Sequence, residues 1–302
     1  MRFDSYHPAI NLIYFAVAIG CTVWFHHPVF LAISYVCAFV YAVYLSGKRA
    51  LLLNLVLAVL IVIYTGWYAY YHHFGVTPLR RNIIGNQITL EALAAGLAIA
   101  VSAASVLMWL SCLHVICTSD KVVYLFGRIS PTLSLFLAIA LRMVPRIGER
   151  ARRIHTAQRG IGRGTGDGNL LRRLVNGIRI FSILVTWLLE SLVESAASMK
   201  CRGYGLRGRS AYAIYRFDNR DRGLVLIFTV CISVLCGAVL LDQTQIHYNP
   251  QILMNRITPL SGIFYAAYAV FLLLPMAMQI IGEARFDRLA AQTAAGDDTH
   301  GN

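Results

Sequence analysis

Two arginines sit beside glycine at positions that could serve recognition. Arg163 lies in Gly162-Arg163-Gly164 and Arg202 in Cys201-Arg202-Gly203. A glycine just past a helix supplies the left-handed turn that closes it. An arginine there suits the negative end of the helix. It also presents a planar fork of five donors to a partner's carboxylates or carbonyls. Ordinary glycine caps with membrane-facing arginines would give the same letters.

Other chemistries find little to work with. Gly160, Gly162, Gly164, Gly166 and Gly168 alternate, but they match neither GxxxxGK followed by Ser or Thr nor GxGxxG. The glycine run reads as a turn between two helices, and the chain is expected to hydrolyse no nucleotide itself. No HExxH or paired-aspartate metal motif falls in the apolar runs. Seven cysteines form no CxxC pair, so neither a disulfide framework nor a zinc site is expected. His26-His27, His72-His73 and His247 are neutral imidazoles that could meet a transition metal or simply lie at a membrane interface. The expectation is no bound metal and no cofactor.

These arginines must be carried by a particular kind of chain. Of 302 residues, 58% are hydrophobic and 14% charged, with a mean hydropathy of +0.61. A soluble domain has roughly 45–50% apolar and about 25% charged residues. Six apolar runs approach or reach the ~17–25 residues needed to cross a bilayer: Ala9–Phe25, Val29–Leu45, Leu51–Tyr71, Leu93–Ile116, Gly223–Leu241 and Gly262–Ile281. None contains Asp, Glu, Lys or Arg. No basic leader with a cleavage site precedes the first run, which is expected to persist. Trp24, Trp67, Tyr68, Tyr70 and Tyr71 lie at run ends, where aromatic belts form.

Charge divides the chain. Residues 117–222 hold 19 of the 27 Lys and Arg and 7 of the 14 Asp and Glu, so +12 of the net +13 lies there. Positive loops stay on the cytoplasmic side. The expected topology therefore has both termini, Lys48-Arg49 and the basic segment inside, with Arg80-Arg81 as one violation outside. The expected divisions are a four-helix membrane part (1–116), basic coupling helices (117–222), C-terminal membrane helices (223–283) and a polar tail (284–302) containing Asp297-Asp298, expected to be disordered.

The basic segment reads as two long helices. Ser130 can cap one, with Pro131 at its first position. It runs to about Arg159, with a kink expected at Pro145. Val144, Ile147, Ala151 and Ile154 form its apolar stripe. Arg142, Arg146, Arg150 and Arg153 form another face, suited to anionic headgroups or to a partner. Asn169 can cap a second helix to about Lys200. Leu174, Ile178, Phe181, Val185, Leu188 and Leu192 read as its packing seam, with Glu190 and Glu194 on a polar flank. A rival reading makes Ile178–Ala197 a seventh span. In the fourth run, Ala92, Gly96, Ala100 and Ala104 form a small-residue stripe. The stripe serves either packing within the chain or docking of another membrane subunit. No nucleic-acid-binding module is recognised.

At these motifs the chain resembles a known family. The run from Arg142 to Gly164, RMVPRIGERARRIHTAQRGIGRG, and the run from Glu194 to Ser210, ESAASMKCRGYGLRGRS, resemble the two coupling regions of the transmembrane T component of energy-coupling factor transporters. That family carries paired X-Arg-X motifs, commonly Ala-Arg-Gly. Here the positions read Gly162-Arg163-Gly164 and Cys201-Arg202-Gly203. The letters AQRGIG would also allow Arg159 as the first arginine; Arg163 is preferred. The resemblance implies an all-α polytopic membrane protein of about six transmembrane helices with a cytoplasmic module of long amphipathic helices. It implies a non-catalytic subunit whose partners are two ABC-type ATPases, which bind ATP and Mg, and a substrate-binding membrane subunit for a vitamin or metal ion. Arg142, Arg146, Arg150, Arg153, Gln158, Arg159, Glu190 and Glu194 would support the two motifs, and Gly96, Ala100 and Ala104 would pack against a membrane subunit. The alternative from another class is a self-contained ion-coupled permease.

Overall fold

A computed structural model describes residues 3–72, 74–81, 87–166, 169–206, 217–246, 248 and 258–297. Nine α-helices lie among the described residues: α1 Pro8–Trp24, α2 Pro28–Ser46, α3 Lys48–Tyr71, α4 Leu90–Ile116, α5 Ser119–Ile129, α6 Pro131–Gly160, α7 Leu170–Cys201, α8 Asn219–Leu240 and α9 Pro259–Asp297. A two-stranded antiparallel hairpin, β1 (Pro78–Arg81) and β2 (Gln87–Thr89), precedes α4. The helices form two compact units, residues 1–118 with 215–302, and residues 119–214. In lipid every backbone N–H and C=O must be paired within its own segment, which favours helices.

Six helices are long and apolar enough to cross a membrane: α2, α3, α4, α7, α8 and the Pro259–Phe286 part of α9. The chain is a multi-pass membrane protein. This set differs by one from the six expected runs. Helix α1, at 17 residues, stays at the short limit. Helix α7, one unbroken helix of 32 residues, joins the set, and it contains the Ile178–Ala197 stretch of the rival reading.

His-Pro pairs start the first two helices. His7 and His27 are the N-caps of α1 and α2, their Nδ1 atoms accepting from Ala9 N–H (3.2 Å) and Val29 N–H (3.3 Å). Proline occupies the first helical position of each, where its missing N–H costs nothing.

The core of the larger unit is aromatic around a polar centre. Trp109, Tyr14, Tyr41, Tyr268, Phe15, Phe30 and Phe271 are fully buried. Tyr14 contacts Trp109, Phe228 and Phe271 at centroid separations of 5.2–6.2 Å, and its hydroxyl donates to the Leu272 carbonyl at 2.9 Å. At the centre, Trp109 Nε1–H donates to Ser34 Oγ at 3.1 Å. Ser34 Oγ also bonds Thr22 Oγ1 at 2.7 Å, and Tyr268 Oη lies 3.3 Å from Thr22. Four helices thus share one buried polar knot.

The small-residue stripe of α4 is covered within this chain. Ala92, Gly96, Ala100 and Ala104 are all buried. A Cβ at Gly96 would lie 3.0 Å from Tyr68 Cβ of α3. Tyr68 of α3 covers Gly96, while Ala100 and Ala104 line an apolar cavity with Leu60, Tyr64 and Trp67 of α3. α3 itself buries only Ala50, Leu57 and Ala69, and its other faces stay apolar and exposed.

The expectation for the polar tail is corrected. α9 continues through Asp297, because Ala290, Ala291, Ala294 and Ala295 favour helix. Tyr44 of α2 bonds the Glu283 carboxylate as α9 leaves the bundle. Asp298 lies outside the described residues.

Two outcomes follow. Gly96→Val should destabilise the chain by roughly 1–3 kcal/mol, since the added branch must displace Tyr68 in a packed interface; thermal unfolding in detergent would show it, and unchanged melting would contradict the contact. His27 is buried among Phe30, Tyr265 and the Thr244 carbonyl, and burial holds its pKa below the ordinary histidine value. A lowered folded pKa contributes stability above the unfolded value of about 6.5 that is lost as pH falls through the folded value. Melting should therefore drop between pH 7.5 and 5, and His27→Asn, which keeps a capping acceptor, should flatten that dependence.

Candidate functional site

The two arginine motifs lie in the smaller unit, at the ends of α6 and α7. Both helices start as expected. Ser130 Oγ accepts from Leu133 N–H, with Pro131 at the first position. The Asn169 side chain accepts from Leu170 N–H. α6 runs as one helix through Pro145 to Gly160. The short α5 before it was not foreseen; Ser134 of α6 donates to the Val123 carbonyl at 3.1 Å and joins the two.

Both helices end in the same turn. After α6, Gly162 N–H donates to the Arg159 carbonyl (3.0 Å) and Arg163 N–H to the Gln158 carbonyl (2.9 Å), with Gly162 at φ +71°. After α7, Gly203 N–H donates to the Lys200 carbonyl and Tyr204 N–H to the Met199 carbonyl, each at 3.0 Å, with Gly203 at φ +80°. These are Schellman closures, in which a left-handed glycine lets two N–H groups take up the last carbonyls.

The shared turn shows that the motifs are not in register. The left-handed glycine follows Arg202 but precedes Arg163. Arg202 caps α7, whereas the equivalent cap of α6 is Ile161. Arg159, the other letter match, is inside α6, and its carbonyl is consumed by the closure. Glycine on both sides of Arg163 hides this offset in the sequence, and the positive φ at Gly162 reveals it. Arg163 and Arg202 are both exposed, as are Gly162 and Cys201, while Gly164 is buried.

Beyond Arg163 the chain folds back. Asn176 Nδ2 of α7 donates to the Gly164 carbonyl at 3.1 Å, and His155 Nε2 of α6 lies 2.9 Å from Thr165 Oγ1. Gln158, kept as a supporting residue, is half-buried, with its side-chain oxygen shut off from solvent.

The expected faces of the two helices hold in part. On α6, Ile147, Ala151 and Ile154 are half-buried, but Val144 is 66% exposed and Met143 takes its place. On α7, Leu174, Ile178 and Phe181 of the expected seam are 65%, 60% and 66% exposed. Val185 and Leu188 of that seam are half-buried, together with Asn176, Gly177, Ile180, Leu184, Trp187, Ser191, Ser195 and Met199, so the expected seam holds in the middle of α7 and not at its start. Of the arginines, Arg142, Arg146 and Arg153 are exposed. Arg150 stacks over Trp187 of α7 with its guanidinium carbon 5.2 Å from the ring centroid, a cation–π contact across the pair. Glu190 and Glu194 are exposed on α7.

The described members of the histidine pairs, His26, His27 and His72, each meet a local partner. His27 is a helix cap, His26 Nδ1 lies 3.0 Å from the Trp24 carbonyl, and His72 stacks on Tyr68 at 4.0 Å. His73 and His247 lie outside the described residues. Among the described residues no three or more His, Cys, Asp or Glu side chains group as a metal site.

No protein-family profile matches the chain. It is similar to proteins named energy-coupling factor transporter transmembrane protein EcfT. The protein from Lactobacillus helveticus is 31% identical over 114 residues, 37% of this chain and 40% of the relative. That from Lacticaseibacillus paracasei is 33% identical over 107 residues, 34% of this chain and 40% of the relative. That from Clostridium kluyveri is 31% identical over 118 residues, 38% and 44% of the two chains. The chain thus spans about two fifths of the length of the curated relatives it matches. Over about a third of its own length it is similar to the transmembrane proteins of energy-coupling factor transporters.

Proposed function

We propose that this chain is the membrane-embedded energy-coupling subunit of an ATP-driven importer. Arg163 and Arg202 are its contacts to two ATPase subunits, which bind ATP and Mg, while this chain catalyses nothing. A separate membrane subunit holds the transported vitamin or metal ion. The basic segment and both termini face the cytoplasm, in keeping with the +12 charge of residues 117–222.

The observation that carries this reading is the pair of identical helix closures, each presenting an exposed arginine. A Schellman turn fixes the backbone at a helix tip, so a push on the arginine is delivered along a stiff rod of 30 or 32 residues. The rods are joined by the Arg150–Trp187 contact and by Asn176, so they can act as one lever. The outward apolar ridge of Leu174, Ile178 and Phe181 suits a membrane subunit or lipid. Similarity to the EcfT proteins supports the transporter setting.

Arg163→Glu and Arg202→Glu should each weaken association with the ATPases about tenfold or more, the worth of a charge-assisted hydrogen bond turned to repulsion, and should abolish uptake. Co-purification and vesicle uptake would measure this. A double variant with full complex recovery and full transport would sink the proposal.

A further inference from the structure

We infer that His155 and Asn176 are positioning residues for Arg163, strapping residues 163–165 to both helices and so fixing where the first arginine fork is presented. This rests on the coupling role proposed for Arg163.

Arg163 is held from both sides. Its own N–H is spent on the Gln158 carbonyl at 2.9 Å. One residue later, Asn176 Nδ2 holds the Gly164 carbonyl at 3.1 Å. One further, His155 Nε2 meets Thr165 Oγ1 at 2.9 Å. Gly164 is buried between neighbours that are exposed. A turn needing only to end α6 is complete at Gly162 and Arg163, so the two later bonds do not serve the cap. They span elements instead. His155 belongs to α6 and Asn176 to α7, so the segment carrying Arg163 is referenced to both rods. Fixing that segment beforehand lowers the ordering cost of docking the fork. It also makes Arg163 follow any movement of α7 against α6.

The test uses the assembled complex in proteoliposomes with Thr165→Val, Thr165→Ser and Asn176→Ala. Thr165 is exposed, so its exchange to the near-isosteric valine removes the hydroxyl with little effect on folding. Hydrogen exchange at the amides of residues 163–166 should quicken about fivefold for each bond lost and return in Thr165→Ser. Substrate moved per ATP hydrolysed should fall with the same ranking while the KM for ATP stays unchanged, and Thr165→Ser should restore it. Unchanged exchange in Thr165→Val and Asn176→Ala would overturn the strap. Faster exchange with undiminished transport per ATP, where Arg163→Glu still abolishes uptake, would overturn the positioning role alone. Normal uptake by Arg163→Glu would instead remove the coupling reading and this role with it.

Discussion

The hydroxyl of Ser34 is where the larger unit is knotted. It takes the Trp109 indole N–H and shares a bond with Thr22, and Tyr268 closes on Thr22. One small side chain on α2 therefore engages α1 and α4, with α9 at one remove. Where no water can substitute, each of these polar atoms needs a partner inside the bundle. The aromatic shell of Tyr14, Phe15, Phe30 and Phe271 packs around that centre. Helix α3 meets α4 where Tyr68 approaches Gly96, meets α2 through the Tyr35–Asn54 hydrogen bond, and places Ala50 and Leu57 in the core.

The smaller unit follows another logic. The Arg150–Trp187 cation–π contact links α6 and α7, and none of α7's residues is fully buried. What is fixed firmly is the end of each helix. The closures consume the last carbonyls, so the tips are defined by backbone geometry and not by the packing of bulky side chains.

Much of this was legible in the residues. Ser130-Pro131 and Asn169 marked their helix starts because capping is local chemistry. Gly162 and Gly203 marked the ends for the same reason. The apolar runs gave five membrane helices within a few residues. The expected seam of α7 holds at Val185 and Leu188 and fails at Leu174, Ile178 and Phe181, which stay exposed, because periodicity alone does not show how far along a helix its partner reaches. The α4 stripe left packing within the chain and docking of another subunit both open, because Tyr68, which meets Gly96, is remote in sequence. Arg150 left headgroups and a partner both open, because its ring partner, Trp187, lies on the other helix. The offset between the arginine motifs was hidden by matching letters, since three-residue motifs do not show which glycine adopts positive φ.

That offset has a further meaning. Superposing the two closing turns on their left-handed glycines places Arg202 one residue before that point and Arg163 one residue after it. The two forks then leave their helices at different heights and on different bearings. Two receptors with identical cradles could not hold both in the same pose, so any pair of surfaces that grips both tips must be handed, with one seat built for each.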